Sequence, residues 1–344
     1  MPPRHIALEE LLTYQEKIIV VMQQHRLGDC VAFEPVVPWL RQHYPSYKLA
    51  WAIREQYLEA LIAHPMLDYI LPATTMKQWV QRSQSFPGNI KTVAYDFWPQ
   101  DGSKAPHNML RPPSNMPNRQ NYFFWDGLLG CYSFKAGLPK LNGQPNFYIA
   151  PGTALPCVLP DVYVAFHTSS QDISKDWMPE KWSALADWFI RQGIAVVELG
   201  WVKSVTADSG LYYDLTKLSL HQTALVLKGV KCFFGVDSGL AHIANALQVD
   251  GVCLLGALER HGTVYTRHVP YTGLYARHHI LRAPGKKPAS LLTVQQVTDF
   301  YQKKDTAIWR LKDAVSTFYT SKIYNFFWRV WYSLKEVFTL SFHI

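Results

Sequence analysis

Three short stretches of this chain set charged, hydroxyl and glycine residues at spacings that suit the binding and transfer of an anionic group. The first is Phe233 to Ala246, FFGVDSGLAHIANA. A strand is expected to run into Asp237, and Ser238-Gly239 to open a helix. The free amides of a helix start, together with the helix dipole, make an anion site. Gly239 would let a phosphate approach the backbone, Ser238 would add a hydroxyl donor, and His242 would lie one turn on, on the same face. Asp237, at the carboxyl end of a strand, stands where ligands bind in open α/β sheets. An ordinary helix cap needs Asp or Ser alone. Asp, Ser, Gly and His together favour a ligand site.

The second stretch is Phe166 to Trp177, FHTSSQDISKDW. Ser169 and Ser170 offer hydroxyls at a strand end, and Lys175 puts a cation on the same sheet edge. A lysine beside a diphosphate offsets the charge of a leaving group, as a metal does elsewhere. On this segment alone a solvated loop is an equally good reading. The third is Gln24 to Asp29, QHRLGD. Gly28 permits a tight turn, and the Asp29 carboxylate, at the start of the next helix, could take a proton from an acceptor hydroxyl. Read alone, Asp29 is more simply a helix cap. The turn is not GxGxxG, so the dinucleotide fingerprint is absent.

The elements that must position these residues alternate. Apolar, β-branched runs predict buried parallel strands at 17–23, 47–53, 69–71 and 91–95, with helices through 39–43 and at 55–63 and 74–85 between them. Residues 96–121 break the rhythm with Pro99, Pro106, Pro112, Pro113 and Pro117, and read as a long loop. Helical spacing returns at 121–136. Residues 145–160, centred on PGTALP, read as an interdomain linker. A second alternating half follows: strands at 162–167, 194–199, 231–236 and 251–255, helices at 179–192, 220–228 and 238–247. The rhythm predicts α/β architecture with parallel sheets covered on both faces.

The composition narrows the class. A length of 344 residues suits two domains. No apolar run reaches the ~20 residues that span a bilayer. The amino-terminal residues do not read as a signal peptide, because Glu9 and Glu10 precede any long apolar stretch. Five cysteines without CxxC spacing argue against a disulfide framework and a zinc knuckle and favour reduced thiols in the cytoplasm. The net charge of +8 favours anionic partners. Nucleic acid is not expected, because no module signature accompanies that charge. The tail, 305–344, interleaves aromatic with basic residues. The part before Ser321 reads as a helix packed on the fold. For 322–344, with Phe326, Phe327, Trp328, Trp331 and Tyr332, contact with an anionic membrane surface or a partner fits better.

Taken together, the three stretches resemble family 9 glycosyltransferases, the ADP-heptose:lipopolysaccharide heptosyltransferases. The first turn and helix match as RLGDCVAFEPVVPWLRQHYP, with Asp29, Pro35 and Tyr44-Pro45 in step. The second half matches as SSQDISKDWMPEKW and VDSGLAHIANA, and KLSLHQTALVLKG, Lys217 to Gly229, resembles the helix before that last signature. The resemblance covers roughly residues 17–300. Three features depart from it: a shorter first turn, one extra residue before Lys175, and the proline-rich stretch 96–121 in the acceptor half.

The resemblance implies a GT-B architecture: two Rossmann-like parallel-sheet domains facing a cleft, followed by the aromatic helical tail. Residues 1–150 would bind the acceptor and 151–304 the nucleotide sugar, with 305–344 as the tail. It implies inverting, metal-independent transfer of heptose from ADP-heptose to a lipopolysaccharide-core or related glycan acceptor, on the cytoplasmic side, with peripheral attachment to the inner face of the inner membrane. Asp29 would be the general base. Ser169, Ser170 and Lys175 would contact the diphosphate, and Lys175 would also stabilise the leaving group. Leu218 would lie beside the adenine, Asp237 would contact sugar hydroxyls, and Ser238, Gly239 and His242 would serve the phosphate side. No cofactor beyond the donor substrate is implied. Asp237 reads as a donor contact and not a metal ligand, since no second carboxylate stands near it in the sequence. The alternatives are the same fold with another nucleotide sugar or a protein or capsule acceptor, and a non-catalytic nucleotide-sugar-binding protein.

Overall fold

The computed structural model of the chain describes residues 2–23, 26–95, 105–114, 116–117, 125, 127–260, 263–265, 280–285 and 287–303. The expected tail, 305–344, lies outside them, as do 96–104, 115 and 118–121 of the expected loop. Residues 1–298 form one compact unit that holds both main sheets. Residues 299–344 form a second unit, described only at the end of the helix Val294–Lys303.

The first sheet is wholly parallel, in the order β1-β4-β3-β2-β5. Its strands are β1 (Arg4–His5), β2 (Ile18–Met22), β3 (Lys48–Ile53), β4 (Tyr69–Pro72) and β5 (Ile90–Ala94). Every residue of β2 is buried. That is why its sequence is a continuous apolar run and does not alternate. Helices α1 (Leu8–Leu11), α2 (Leu27–Phe33), α3 (Val36–His43), α4 (Met76–Arg82) and α5 (Leu128–Lys135) accompany this half.

The second sheet contains β6 (Tyr163–His167), β7 (Ala195–Gly200), β8 (Tyr212–Thr216), β9 (Cys232–Val236) and β10 (Gly251–Leu255). A short antiparallel pair, β11 (Leu258–Arg260) and β12 (Thr263–Tyr265), follows, and β13 (Ile280–Arg282) returns to the sheet edge. The order is β13-β10-β9-β6-β7-β8, again parallel throughout. Its helices are α6 (Pro179–Ile190), α7 (Leu220–Lys228) and α8 (Gly239–Ala246). Residues 136–162, between the two sheets in sequence, carry no helix or strand. Among the described residues no helix is long and apolar enough to cross a membrane.

One expected element differs in kind. The helix expected through 39–43 is the end of α3, and a separate helix, α2, precedes it, with Asp29 near its start as expected. The 55–63 helix is a 3-10 helix at Glu55–Ala60.

The chain reverses strand order between β2 and β5 in the first sheet and between β6 and β9 in the second. Such switch points open a crevice at the carboxyl ends of the strands. Here α2, which follows β2, packs directly on α8, which follows β9. Each helix start holds a glycine where the other inserts a side chain. A Cβ on Gly28 would stand 2.5 Å from His242 Cδ2, and one on Gly239 would stand 3.0 to 3.1 Å from Leu27. Gly28→Ala is therefore expected to strain the crossing. Overpacking of this kind costs about 1–3 kcal/mol. Alanine returns up to about 1 kcal/mol of helix propensity. The net is a melting temperature lowered by up to roughly 5 °C. A raised melting temperature would show that the crossing has room for the added methyl.

Candidate functional site

The site builds from the two switch points. On the second sheet, β9 ends at Val236 and the chain passes through Asp237 into α8. Ser238 caps the helix, its Oγ accepting from the Ala241 amide at 3.4 Å. The first intrahelical bond is His242 N to Ser238 O. The amides of Gly239 and Leu240 therefore stand outside the helix's own ladder, as the first donors of any helix do.

Beside Asp237, at the end of β6, lies the turn that carries Lys175. A 3-10 turn, Ile173–Lys175, follows Asp172, whose carboxylate accepts from Ser174 N at 3.2 Å. This turn places Lys175 Nζ 2.5 Å from Asp237 Oδ2. The pair is largely buried, with 16% and 11% of the side chains exposed. His242 Nε2 lies 3.9 Å from Asp237 Oδ1, beyond hydrogen-bond reach. Burial holds the His242 imidazole below its usual range, against the opposing pull of the Asp237 and Asp29 charges. His242 thus faces the site as a neutral ring, with both carboxylates in electrostatic reach.

The two serines expected beside Lys175 behave differently. Ser170 Oγ donates to Asp172 O at 2.8 Å and accepts from Asp172 N at 3.0 Å, so its hydroxyl is committed to its own turn. Ser169 is half-buried and has no hydrogen-bond partner among the described residues. Leu218 is half-buried just before α7, packed against the core of the second half. It stands past the carboxyl end of β8, one residue after Lys217, which adopts φ of 67°.

On the first sheet, Asp29 is the third residue of α2. Its Oδ2 accepts from the Arg26 amide at 3.2 Å, which is why it suits a helix start. Its Oδ1 accepts from the Tyr132 hydroxyl on α5. Tyr132 in turn stacks on Tyr95, which follows β5, with ring centroids 4.1 Å apart.

Sequence reasoning missed Tyr132, Tyr95, His167 and Glu198. Tyr132 and Tyr95 sit among apolar residues and signal only as core; their meeting with Asp29 needs the β2–β5 switch. Glu198 lies inside an apolar strand and is fully buried. It is satisfied by the amides of Ser204, at 2.7 Å, and Val205, by the Thr168 hydroxyl and by the Tyr212 hydroxyl at 2.5 Å. It fixes the loop after β7 to the end of β6. The one sequence signal for it was an acidic residue in a run that otherwise reads as a buried strand.

His167 ends β6, with Nδ1 2.9 Å from Ser238 Oγ. The contact ties the end of β6 to the cap of α8. Burial lowers the His167 pKa to about 4. An unfolded chain's histidine binds a proton near pH 6.5. Between those values the unfolded state holds more protons, so stability is full above about pH 6.5 and falls as the pH drops toward 4. The loss reaches about 3 kcal/mol for this residue. The wild type is expected to lose more melting temperature between about pH 7 and pH 4.5 than His167→Gln does; equal losses would contradict a buried neutral imidazole.

Among the described residues no group of three or more His, Cys, Asp or Glu side chains is arranged to hold a metal. The positive charge at this site comes from Lys175.

Several known proteins resemble this chain in sequence or in fold. The sequence profile of glycosyltransferase family 9 (heptosyltransferase) matches residues 144–272. Lipopolysaccharide heptosyltransferase 1 of Escherichia coli O18:K1:H7 (strain RS218 / NMEC) is 22% identical over 331 residues, covering 83% of this chain and 97% of that protein. Among solved structures, E. coli heptosyltransferase WaaC with ADP-2-deoxy-2-fluoro heptose has a TM-score of 0.57 at 17% identity, covering 83% of this chain and 99% of that one. E. coli ADP-heptose lps heptosyltransferase II has a TM-score of 0.59 at 16% identity, covering 84% and 98%. The two parallel α/β sheets match these structures in fold, the GT-B arrangement expected from the sequence. Residues 144–272 thus resemble the family 9 glycosyltransferases in sequence, and the described residues resemble heptosyltransferases in fold.

Proposed function

We propose that the chain is an inverting glycosyltransferase that takes heptose from ADP-heptose and passes it to a lipopolysaccharide-core or related glycan. The observation that carries this reading is the α2–α8 crossing, which brings the Asp29 and Asp237 carboxylates within electrostatic reach of one imidazole, His242. The likeness to a heptosyltransferase solved with a fluorinated ADP-heptose supports the choice of donor.

In this reading residues 1–150 bind the acceptor, 151–304 bind the nucleotide sugar, and 322–344 meet an anionic membrane surface on its cytoplasmic face. Asp29 takes the proton of the acceptor hydroxyl as that oxygen attacks the anomeric carbon. The bond to the departing diphosphate breaks in the same displacement, so the anomeric centre inverts. Lys175, Ser169 and the amides of Gly239 and Leu240 receive the negative charge that develops on the diphosphate. Asp237 leaves Lys175 in part to the diphosphate and contacts sugar hydroxyls. Leu218 lies beside the adenine, and Ser170, Ser238 and His242 shape the phosphate side.

The test is a thermal-shift profile with ADP-, UDP- and GDP-sugars. A bound ligand raises the melting temperature by mass action. ADP-heptose is expected to raise it and the UDP- and GDP-sugars to leave it unchanged. A shift with UDP-sugars alone would contradict the donor, and no shift with any of them would contradict the transferase.

A further inference from the structure

The Asp29 carboxylate does not reach the cleft as a loose side chain. One oxygen, Oδ2, is held by the amide of Arg26 at 3.2 Å, and the other, Oδ1, accepts the Tyr132 phenol. Tyr132 is 6% exposed, and Tyr95, 3% exposed, lies flat against it with an interplanar angle of 13°. Phe33, fully buried on α2, meets both rings edge-on, at 5.1 Å from Tyr95 and 6.2 Å from Tyr132. The phenol thus has its place fixed from two sides by packing. A side chain locked in this way donates its hydrogen bond with little loss of rotamer freedom.

We propose that Tyr132, backed by Tyr95, is the positioning residue for the Asp29 carboxylate: its phenol fixes the plane of the carboxylate, and so decides which lone pair meets the acceptor hydroxyl. This rests on the reading of Asp29 as the proton acceptor. A base must stand within hydrogen-bond reach and in line with the proton it takes, and a misplaced carboxylate loses rate without losing donor affinity. The phenol remains a donor throughout the working range, because burial, reinforced by the Asp29 charge, pushes its proton affinity well above the usual phenol range.

The other groups that bear on this pair are few. Cys30, on α2, and Cys131, on α5, are buried thiols held protonated by burial. Arg54, after β3, exerts a charge on the Asp29–Cys30 turn. His242, from α8, is neutral for the reason given above. Among these, Tyr132 donates a side-chain hydrogen bond to Asp29.

The experiment compares wild type, Tyr132→Phe, Asp29→Ala and the double variant, each assayed with ADP-heptose and acceptor across pH. Tyr132→Phe keeps the ring stack and removes only the hydroxyl. It is expected to bind ADP-heptose within about two-fold of wild type and to lower kcat roughly ten-fold at unchanged acceptor KM. On the Asp29→Ala background the same change should lower the residual rate no further, because Tyr132 acts through that carboxylate. A second variant, Tyr95→Leu, keeps the phenol and removes its support; it should show the same kcat loss, smaller in size, and it carries the test should Tyr132→Phe fold poorly. Wild-type kcat in Tyr132→Phe, or an equal rate loss with and without Asp29, would overturn the proposal. Should Asp29→Ala itself keep wild-type turnover, the base assignment falls, and that outcome is separate from the first.

Discussion

Asp29→Ala is expected to bind ADP-heptose as the wild type does and to transfer heptose about 10²- to 10⁴-fold more slowly. In the proposed reading the donor is held by the second sheet and its turns, to which Asp29 makes no hydrogen bond. Its own hydrogen bonds run to Arg26 and Tyr132, both in the first half of the chain. Removing the carboxylate leaves the buried Tyr132 hydroxyl without its acceptor, which costs about 1–3 kcal/mol of stability. Asp29→Asn separates the two effects. Its amide oxygen still accepts from Tyr132, so the fold is expected to melt within a few degrees of wild type, yet it cannot take a proton. If Asp29→Asn turns over as fast as wild type with the true acceptor, Asp29 is only a helix-start residue.

Lys175→Met is expected to lose about 10²- to 10³-fold in turnover, the scale found when a charge-stabilising group is removed from a reaction centre. It should also weaken donor binding, because in the proposed reading the same ammonium would face the diphosphate in the ground state. Lys175 and Asp237 form a largely buried pair. Taking one partner away strands the other, and this costs about 3–5 kcal/mol in buried sites. The single variant should therefore melt well below wild type. Lys175→Met combined with Asp237→Asn removes both charges together, so it is expected to recover most of that stability and none of the turnover. Recovery of turnover along with stability would mean that Lys175 is a structural partner of Asp237 and nothing more.

Much of this was legible before the structure, for a physical reason. Buried parallel strands such as β2, β6 and β9 must be apolar on both faces, so they stand out as runs. The turn from Val236 through Ser238 into α8 is likewise local: a strand end, a cap and a glycine in four residues. Edge strands were the ones missed. β1 pairs through only two residues, and β8 is only partly buried along its length, so neither shows a sustained apolar signal.

The site divides in the same way. Asp237, Ser238, Gly239 and His242 are contiguous and could be read as a group. Gly239, though, is required at least in part by Leu27 packing against it from the first half, a contact 212 positions away in sequence that no local pattern reveals. The ion pair between Lys175 and Asp237 joins two turns across the β6–β9 switch, and the phenol on Asp29 arrives from α5 across the β2–β5 switch. Serine chemistry was only half legible. Ser169 and Ser170 are equivalent in sequence, and only the fold shows that the second hydroxyl is spent on its own turn.

The most direct measurement of the central claim is the anomeric configuration of the product, read by proton NMR after a single turnover of ADP-heptose with the glycan acceptor. One displacement with Asp29 as proton acceptor requires a product inverted relative to the donor. A product of retained configuration would contradict it.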